Sequence, residues 1–208
     1  ENPICLEKTP EVVAASHTVG AVQTRNLGTI GGNLVTCVPS ADSAPALMVL
    51  DAEVTVAGTN GNRRMPIEEF FVGPRKTILQ PHELLVDIWI PKKNLGKPSS
   101  FYKFGLRKGQ ALALVNVAAA LELKSGKIVE PRIALGAVAP TPIRILKAET
   151  FLSGKKPTKK NIQEAARIAV TESKPIDDFR ASASYRCQLI QTLTQRVLTR
   201  SLEIATAS

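Results

Sequence analysis

The sequence predicts an α+β fold, and three observations lead to this prediction. Short runs of alternating or β-branched apolar residues, typical of strands, occur in both halves of the chain. Segments with apolar residues at helical spacing also occur in both halves, so each half combines strands with helices. The length of 208 residues and the hydrophobic content of 44 % suffice for one domain, or two small ones, with an ordinary core.

The first elements of the chain are helical segments that flank a glycine-rich stretch. A short helix is predicted over residues 11–19, ending near Gly20. Three glycines among residues 23–33 predict a structured loop there, because glycine disfavours a helix interior. The run Ser40-Ala41-Asp42-Ser43-Ala44-Pro45 supplies cap residues and a first-turn proline, so a helix is predicted to begin there and to continue through residues 46–50.

A hairpin and a further strand complete the first half. Residues 53–57 alternate and are β-branched, Asn60-Gly61 is a strong hairpin turn, and residues 63–67 return as the partner strand. The apolar residues at positions 84, 86, 88 and 90 predict a strand with one fully buried face, which ends at Pro91.

The second half is predicted to begin with strands and to end with helices. The strands cover residues 100–106, 112–123 and 127–138. The segment 112–123 is also long enough for a helix, but the turn Ser125-Gly126 and the β-rich segment after it favour a hairpin. Helices are predicted over residues 142–152, 159–173 and 182–205.

Charge divides the chain into two parts. Up to Pro91 there are 6 Lys and Arg against 10 Asp and Glu, whereas from Lys92 onward there are 21 against 8. This change coincides with the breaker-rich run 91–98, so two domains are predicted, at residues 1–96 and 97–208. A basic half is compatible with a solvated surface, an acidic protein partner or nucleic acid. An aromatic content of 4 % argues against single-stranded nucleic acid, which binds through stacking platforms.

Several classes of function are disfavoured. Three dispersed cysteines and two histidines suggest neither a disulfide framework nor a metal site, and indicate a reducing cytoplasm. There is no apolar run of membrane-spanning length, and the first residues do not follow the plan of a signal peptide. The signatures G-x-S-x-G, a complete P-loop and G-x-G-x-x-G are also absent, which disfavours nucleophilic and nucleoside-triphosphate chemistry.

The run Gly28-Thr29-Ile30-Gly31-Gly32-Asn33 is the best candidate for a binding site. Adjacent glycines let the backbone approach a ligand and turn successive N–H groups toward one point, as pyrophosphate binding requires. Thr29 and Asn33 add side-chain donors. Asp42 could accept a hydrogen bond from a sugar hydroxyl or simply cap the following helix. A purely structural tight loop is the alternative interpretation of the same run.

Residues 24–34, together with 39–45, closely resemble the flavin-binding subunits of the molybdenum hydroxylases, the family of xanthine and carbon monoxide dehydrogenases. The resemblance covers essentially the whole chain, and the sequence is most similar to the flavin subunits of bacterial xanthine dehydrogenases. The resemblance also runs through residues 70–77, 83–91, 101–103, 139–144 and 179–194.

The resemblance implies FAD as the cofactor and assigns roles to eight residues. It implies that Thr29, Ile30, Gly31, Gly32 and Asn33 line the FAD phosphates. Asp42 would hold ribityl or ribose hydroxyls, Leu85 would pack on the flavin, and Lys103 would stand near the flavin ring, where a cation could stabilise electron density. The implied fold is the second α/β subdomain of an FAD-binding domain, followed by a small C-terminal domain of antiparallel sheet plus helices.

The resemblance also implies an electron-transfer role with partner subunits. Electrons would pass from a molybdopterin-binding large subunit, through a 2Fe–2S small subunit, to FAD and then to NAD or another acceptor; neither nucleic acid nor a membrane would be involved. In the family a first subdomain precedes this region and supplies another glycine-rich loop, so half of the pocket is expected to lie outside this chain. The alternative is a basic non-catalytic module, an apo scaffold or a fragment, that binds an acidic protein partner or RNA.

Overall fold

The computed structural model describes residues 2–207, and over this range it has the predicted mixture of helices and antiparallel sheets. The helices are α1 (Pro3–Lys8), α2 (Pro10–His17), α3 (Val22–Leu27), α4 (Ile30–Thr36), α5 (Ser43–Met48), α6 (Ile67–Phe70), α7 (Leu146–Leu152), α8 (Lys159–Glu172) and α9 (Ala183–Ala207). The strands are β1 (Glu53–Gly58), β2 (Gly61–Pro66), β3 (Phe71–Gly73), β4 (Lys76–Thr77), β5 (Leu84–Trp89), β6 (Ser99–Gly105), β7 (Ala113–Lys124), β8 (Lys127–Gly136) and β9 (Ile143–Arg144). The α+β prediction is confirmed.

Three sheets organise these strands. One has the order β2-β1-β5, the second pairs β3 with β4, and the third has the order β6-β7-β8-β9. The predicted β1–β2 hairpin is present, but its two-residue loop is Thr59-Asn60, because Gly58 pairs with Gly61. Gly61, with φ of 102°, therefore begins the return strand and lies outside the loop.

The glycine-rich stretch 23–33 is helical except at Gly28 and Thr29, so the prediction of a loop over the whole stretch is wrong. The amide of Gly28 bonds the carbonyl of Thr24 at 2.8 Å and ends α3. Thr29 then caps α4, because its Oγ1 accepts the amide of Gly32 at 2.9 Å. Gly31 and Gly32 consequently lie in the first turn, where the cap offsets their low helix propensity.

The predicted inward face of β5 is correct for Ile88 and Ile90, which pack against the core, and wrong for Leu84 and Val86. Leu84 and Val86 are 71 % and 52 % exposed, while Leu85 and Ile88 pack against the core. The register shifts opposite Val56, so that Val54 faces Ile88 and Val56 faces Leu85. Two inward side chains three residues apart require such a bulge, since regular alternation has period two.

The last part of the chain differs from prediction at one helix start. Ile143-Arg144 forms β9 by pairing with β8, so the helix predicted from Pro142 begins at Leu146. The hairpin of β7 with β8 and the two final helices are confirmed. Between residues 2 and 207, no helix has the length and apolar character needed to cross a bilayer.

The sheet β6-β7-β8-β9 is covered on both sides. Helices α2 and α5 of the first half pack on one face of this sheet. On the other face α9 lies on β7, and α8 packs against α9. Small residues Ala118, Ala120 and Ala134 join the core of the first half, whereas Leu121 and Leu135 belong to the core under α9. The sheet thus lies between helices α2 and α5 of the first half and the final helices of the second half.

Candidate functional site

A cavity of about 380 Å³ opens at the first turn of α4. Thr29, Ile30, Gly32 and Asn33 border it on one side, and residues of α2, α3 and α5 border it on the others. The amides of Ile30 and Gly31 begin the helix and so have no intrahelical acceptor. The site therefore combines backbone donors, small residues and a volume suited to a small-molecule ligand.

Close packing explains the glycines around this cavity. A Cβ on Gly28 would lie 2.9 Å from the carbonyl oxygen of Thr24, and one on Gly32 would lie 3.1 Å from Thr29 Oγ1. A side chain at either position would push on the elements that shape the first turn. Gly31 faces Leu85, whose Cδ2 would stand 3.7 Å from an added Cβ, so the apolar side chain of β5 lies against the glycine segment.

The side chain of Asn33 is oriented by a hydrogen bond from Ser43, ten residues further along the chain. Ser43 Oγ donates to Asn33 Oδ1 at 2.6 Å, which uses the acceptor end of the amide. The two N–H donors of the Asn33 side chain remain for another acceptor. Both residues border the cavity, so the contact between α4 and α5 presents amide donors to a ligand.

Asp42 and Lys103 form a buried ion pair. Lys103 Nζ lies 2.5 Å from Asp42 Oδ2 and also donates to the carbonyl of Thr18 at 2.8 Å. Asn116 Nδ2 donates to the second oxygen of Asp42 at 2.9 Å. Burial raises the pKa of Asp42 above its ordinary value of 3.8, although the bonds from Lys103 and Asn116 oppose that change. The carboxylate of Asp42, in the first half, is therefore held in place by two side chains of the second half.

A second cavity of about 690 Å³ lies on the other side of Arg25. Lys103 borders it, as do the segments around Gly20 and Gly109. Arg25 borders both cavities, and its Nη1 donates to the carbonyl of Val19 at 2.9 Å. A fixed guanidinium between two cavities suits an anionic group that spans them.

The structure thus brings most of the predicted site residues together. Thr29, Ile30, Gly32 and Asn33 border one cavity, and Lys103 borders the other. Gly31 does not border the first cavity and faces Leu85 instead. Asp42 is 5 % exposed and borders neither cavity directly. Sequence reasoning missed Arg25 and Asn116 as site residues. Arg25 lies inside the recognised motif, and Asn116 is a polar residue within an otherwise apolar strand, so a signal existed for each.

Comparisons with known proteins agree in both halves. Residues 1–93 match the family described as the FAD binding domain in molybdopterin dehydrogenase. Residues 100–201 match the family described as the CO dehydrogenase flavoprotein C-terminal domain. A putative xanthine dehydrogenase FAD-binding subunit from Escherichia coli is 32 % identical over 208 residues, covering 99 % of this chain and 70 % of that protein. The carbon monoxide dehydrogenase medium chain of Hydrogenophaga pseudoflava is 30 % identical, covering 95 % and 68 %.

Solved structures share the same architecture. Carbon monoxide dehydrogenase from Hydrogenophaga pseudoflava superposes with a TM-score of 0.93 at 30 % identity, covering 98 % of this chain and 70 % of that one. Quinoline 2-oxidoreductase from Pseudomonas putida 86 gives a TM-score of 0.91 at 30 % identity, covering 99 % and 71 %.

Proposed function

Because this chain belongs to the FAD-binding medium subunits of the xanthine and carbon monoxide dehydrogenase family, we propose that it carries electrons through FAD between partner subunits and a terminal acceptor. Membership makes the chain an oxidoreductase component with FAD as its cofactor. The rival interpretation, a basic module without a cofactor, has no support among these relatives. The observation that carries the proposal is the capped, glycine-containing first turn of α4 at the wall of a cavity.

The residues at this wall fit the phosphate groups of FAD. In our proposal the backbone amides of Thr29, Ile30 and Gly31 and the side chain of Asn33 donate to phosphate oxygens, and Arg25 balances their charge. Gly32 keeps the wall free of a side chain, since a Cβ there would press on the cap. When bound, FAD supplies the redox chemistry that the amino acids lack.

Leu85, Asp42 and Lys103 complete the proposed site. Leu85 presents an apolar side chain behind the glycine segment, where it would pack on the flavin. Lys103 brings a cation to the edge of the second cavity, which suits the flavin ring. Asp42 borders neither cavity, so in our proposal it contributes by holding Lys103 in position. Asn116 holds the second oxygen of Asp42, and a sugar hydroxyl would reach this carboxylate only if its side chain left these partners.

The test is an FAD titration that follows flavin absorbance and protein stability together. We expect Gly32→Ala to weaken FAD binding by more than about tenfold, because the added methyl disturbs the Thr29 cap and the cavity wall. Gly73→Ala is the matched control, since a Cβ on Gly73 meets nothing within 4 Å. Equal FAD affinity in the two variants would overturn the phosphate assignment.

We further propose a molybdopterin-binding large subunit and a 2Fe–2S small subunit as partners, NAD as acceptor, and the reducing cytoplasm as the location. The relatives include medium subunits and chains, and a family of molybdopterin dehydrogenases matches the first half. We also propose that residues 1–96 and 97–208 act as two domains around the cofactor.

NADH added anaerobically to the FAD-loaded chain should bleach the flavin band. An unchanged band would exclude NAD in favour of another acceptor.

A further inference from the structure

Phe179 is the most exposed large apolar side chain among the described residues. Its side chain is 97 % exposed, and it lies in the connection between α8 and α9. Ile176, three residues earlier, is 66 % exposed. Large apolar side chains exposed to water are unfavourable unless another surface covers them.

The turn that carries Phe179 is rigid. Asp178 and Ala181 exchange backbone hydrogen bonds of 3.1 and 3.2 Å, and the carboxylate of Asp178 accepts the amide of Arg180 at 2.9 Å. The guanidinium groups of Arg180 and Arg186 lie 2.6 and 2.9 Å from the same carboxylate, so the pKa of Asp178 is held far below its ordinary range. Phe179 is thus presented in a fixed position, which lowers the entropic penalty of binding a partner.

A buried anchor ties this turn to the sheet. Arg186 is 2 % exposed, and its Nη1 donates to the carbonyl of Leu114 on β7 at 2.6 Å. Its Nη2 reaches both oxygens of Asp178, at 3.0 and 2.9 Å. A single side chain therefore connects the exposed turn to the core of the second half.

An apolar groove of about 440 Å³ lies beside the turn. Its walls include Pro39, Pro74, Val138, Pro140 and Ile176. Lys174, Asp178 and Arg180 also line it. This combination of an apolar centre, a polar rim and an exposed aromatic anchor is typical of a protein interface.

We propose that Phe179 and this groove form the docking surface for a neighbouring protein subunit, one that offers an apolar pocket rimmed by Asp and Glu side chains. The proposal rests on the function proposed above, in which the chain works within a multi-subunit complex. Charge complementarity selects the acidic rim, since the half of the chain from Lys92 onward has 21 basic and 8 acidic residues.

The position of the groove gives this docking surface a functional consequence. Pro39 and Ser40 line the groove, and Ser43, three residues further on, borders the first cofactor cavity. A subunit bound in the groove contacts the same short segment that shapes the site. Docking there therefore places the partner next to the cofactor, as electron exchange requires.

The experiment uses the complex purified after co-expression of this chain with its partner subunits. Its dissociation is followed by mass photometry on dilution, and flavin content is measured in parallel. We expect Phe179→Ala to weaken the complex by on the order of 30-fold, as loss of an interface hot spot does. Ile4→Ala is the matched control, because Ile4 is 67 % exposed on α1 and should leave dissociation unchanged.

Charge reversal and cross-linking identify the occupant. Lys174→Glu should weaken the complex and reduce its salt sensitivity, whereas Lys127→Glu, at the opposite end of the β7–β8 hairpin, should not. The substitution Phe179→p-benzoylphenylalanine should cross-link to another subunit under light. Cross-linking to a second copy of this chain, or no cross-linking, would overturn the proposal.

The two proposals fail in different ways. Dissociation of Phe179→Ala within twofold of the unaltered complex would overturn the docking surface, even with full flavin content. A complex that depends on Phe179 but never retains FAD would overturn the proposed cofactor role and support the docking surface. An unaltered chain that retains FAD but forms no complex would overturn the docking surface and the proposed partners.

Discussion

The two faces of the sheet β6-β7-β8-β9 are built from different chemistry. The face toward α9 carries large aliphatic side chains such as Val117, Leu121 and Leu135. The face toward the first half carries small and polar residues in register, with Lys103 paired to Asn116 and Asn116 to Gly136. One face is closed by the burial of large apolar side chains, which tolerates small adjustments. The other adds hydrogen bonds and ion pairs, which depend on particular partners, to the apolar packing of small residues.

Several polar contacts close the second of these faces. Besides Asp42 with Lys103, Asp51 of the first half accepts from Arg132 and Arg144, each at 3.0 Å. These bonds hold the pKa of Asp51 below its ordinary value of 3.8. Specific charges therefore attach the first half of the chain to this sheet. We expect single substitutions on this polar face to lower the free energy of unfolding more than substitutions on the aliphatic face.

The strongest test of that difference is Lys103→Met. We expect it to lower the free energy of unfolding by about 3–5 kcal/mol, because it leaves the buried carboxylate of Asp42 unpaired. Chemical denaturation at pH 7 measures the change. The double variant Asp42→Asn with Lys103→Met should recover much of the loss, since neither charge then remains buried. A loss below about 1 kcal/mol in the single variant would show that water compensates the pair.

A pH series on Glu11 sharpens the comparison. Glu11, on α2, is 2 % exposed and lies 2.5 Å from Ser99 Oγ of β6, and burial raises its pKa from 4.5 to about 7. The folded state then binds a proton that the unfolded state has released, so stability falls as pH rises from 4.5 to 7. The fall should reach about 3 kcal/mol, from about 1.4 kcal/mol per pKa unit.

Glu11→Gln is the control for that series. The amide keeps a hydrogen-bonding partner for Ser99 but does not titrate, so this contribution to the pH dependence should disappear. We expect the variant to be more stable than the unaltered chain at pH 8 and similar to it at pH 4.5. Thermal melts over this range would contradict the assignment if both chains changed in parallel.

Gly136→Ala is expected to have an intermediate effect on the polar face. A Cβ on Gly136 would overlap the side-chain oxygen of Asn116, which is itself fully buried. We expect a loss of about 1–3 kcal/mol from overpacking, with displacement of Asn116 from Asp42. Combining it with Asn116→Ser should relieve the overlap. A variant as stable as the unaltered chain would indicate that the strands separate at little cost.

The smallest effect is expected on the aliphatic face. Ile133→Val removes one methylene group from a fully buried position under the helices and should cost about 1 kcal/mol. The loss should not vary with pH, because no titratable partner is removed. A loss larger than that of Gly136→Ala in the same denaturation experiment would reverse the proposed ranking of the two faces.

Local sequence patterns correctly predicted the helices and strands that depend only on neighbouring residues. The β7–β8 hairpin follows from its turn at Ser125-Gly126, and α8 follows from apolar residues at helical spacing. The inward position of Leu85 on β5 could not be predicted, because it depends on a bulge opposite Val56 in a neighbouring strand. Nor could β9, which exists through pairing with β8 rather than through its own sequence.

The residues of the candidate site also divide into those that a local motif predicts and those that depend on contacts distant in the chain. Thr29, Ile30, Gly32 and Asn33 belong to one short run, so a motif suffices to place them at one cavity wall. Arg25 borders two cavities only because α3 turns it toward Val19, which the glycine pattern does not indicate. Asn116 was missed because its role arises from a residue 74 positions away in the chain.

The alanines that the sheet contributes to the core of the first half have a consequence during protein synthesis. Ala118, Ala120 and Ala134 cover apolar residues such as Val54 and Phe70, which leave the ribosome much earlier. At about 5–20 residues per second, that core remains open for several seconds. Ribosome-bound chains stopped before β7 should therefore be cut by protease within the first half, and chains stopped after β9 should resist. The nascent first half thus exposes part of its core until the strands that cover it have been translated.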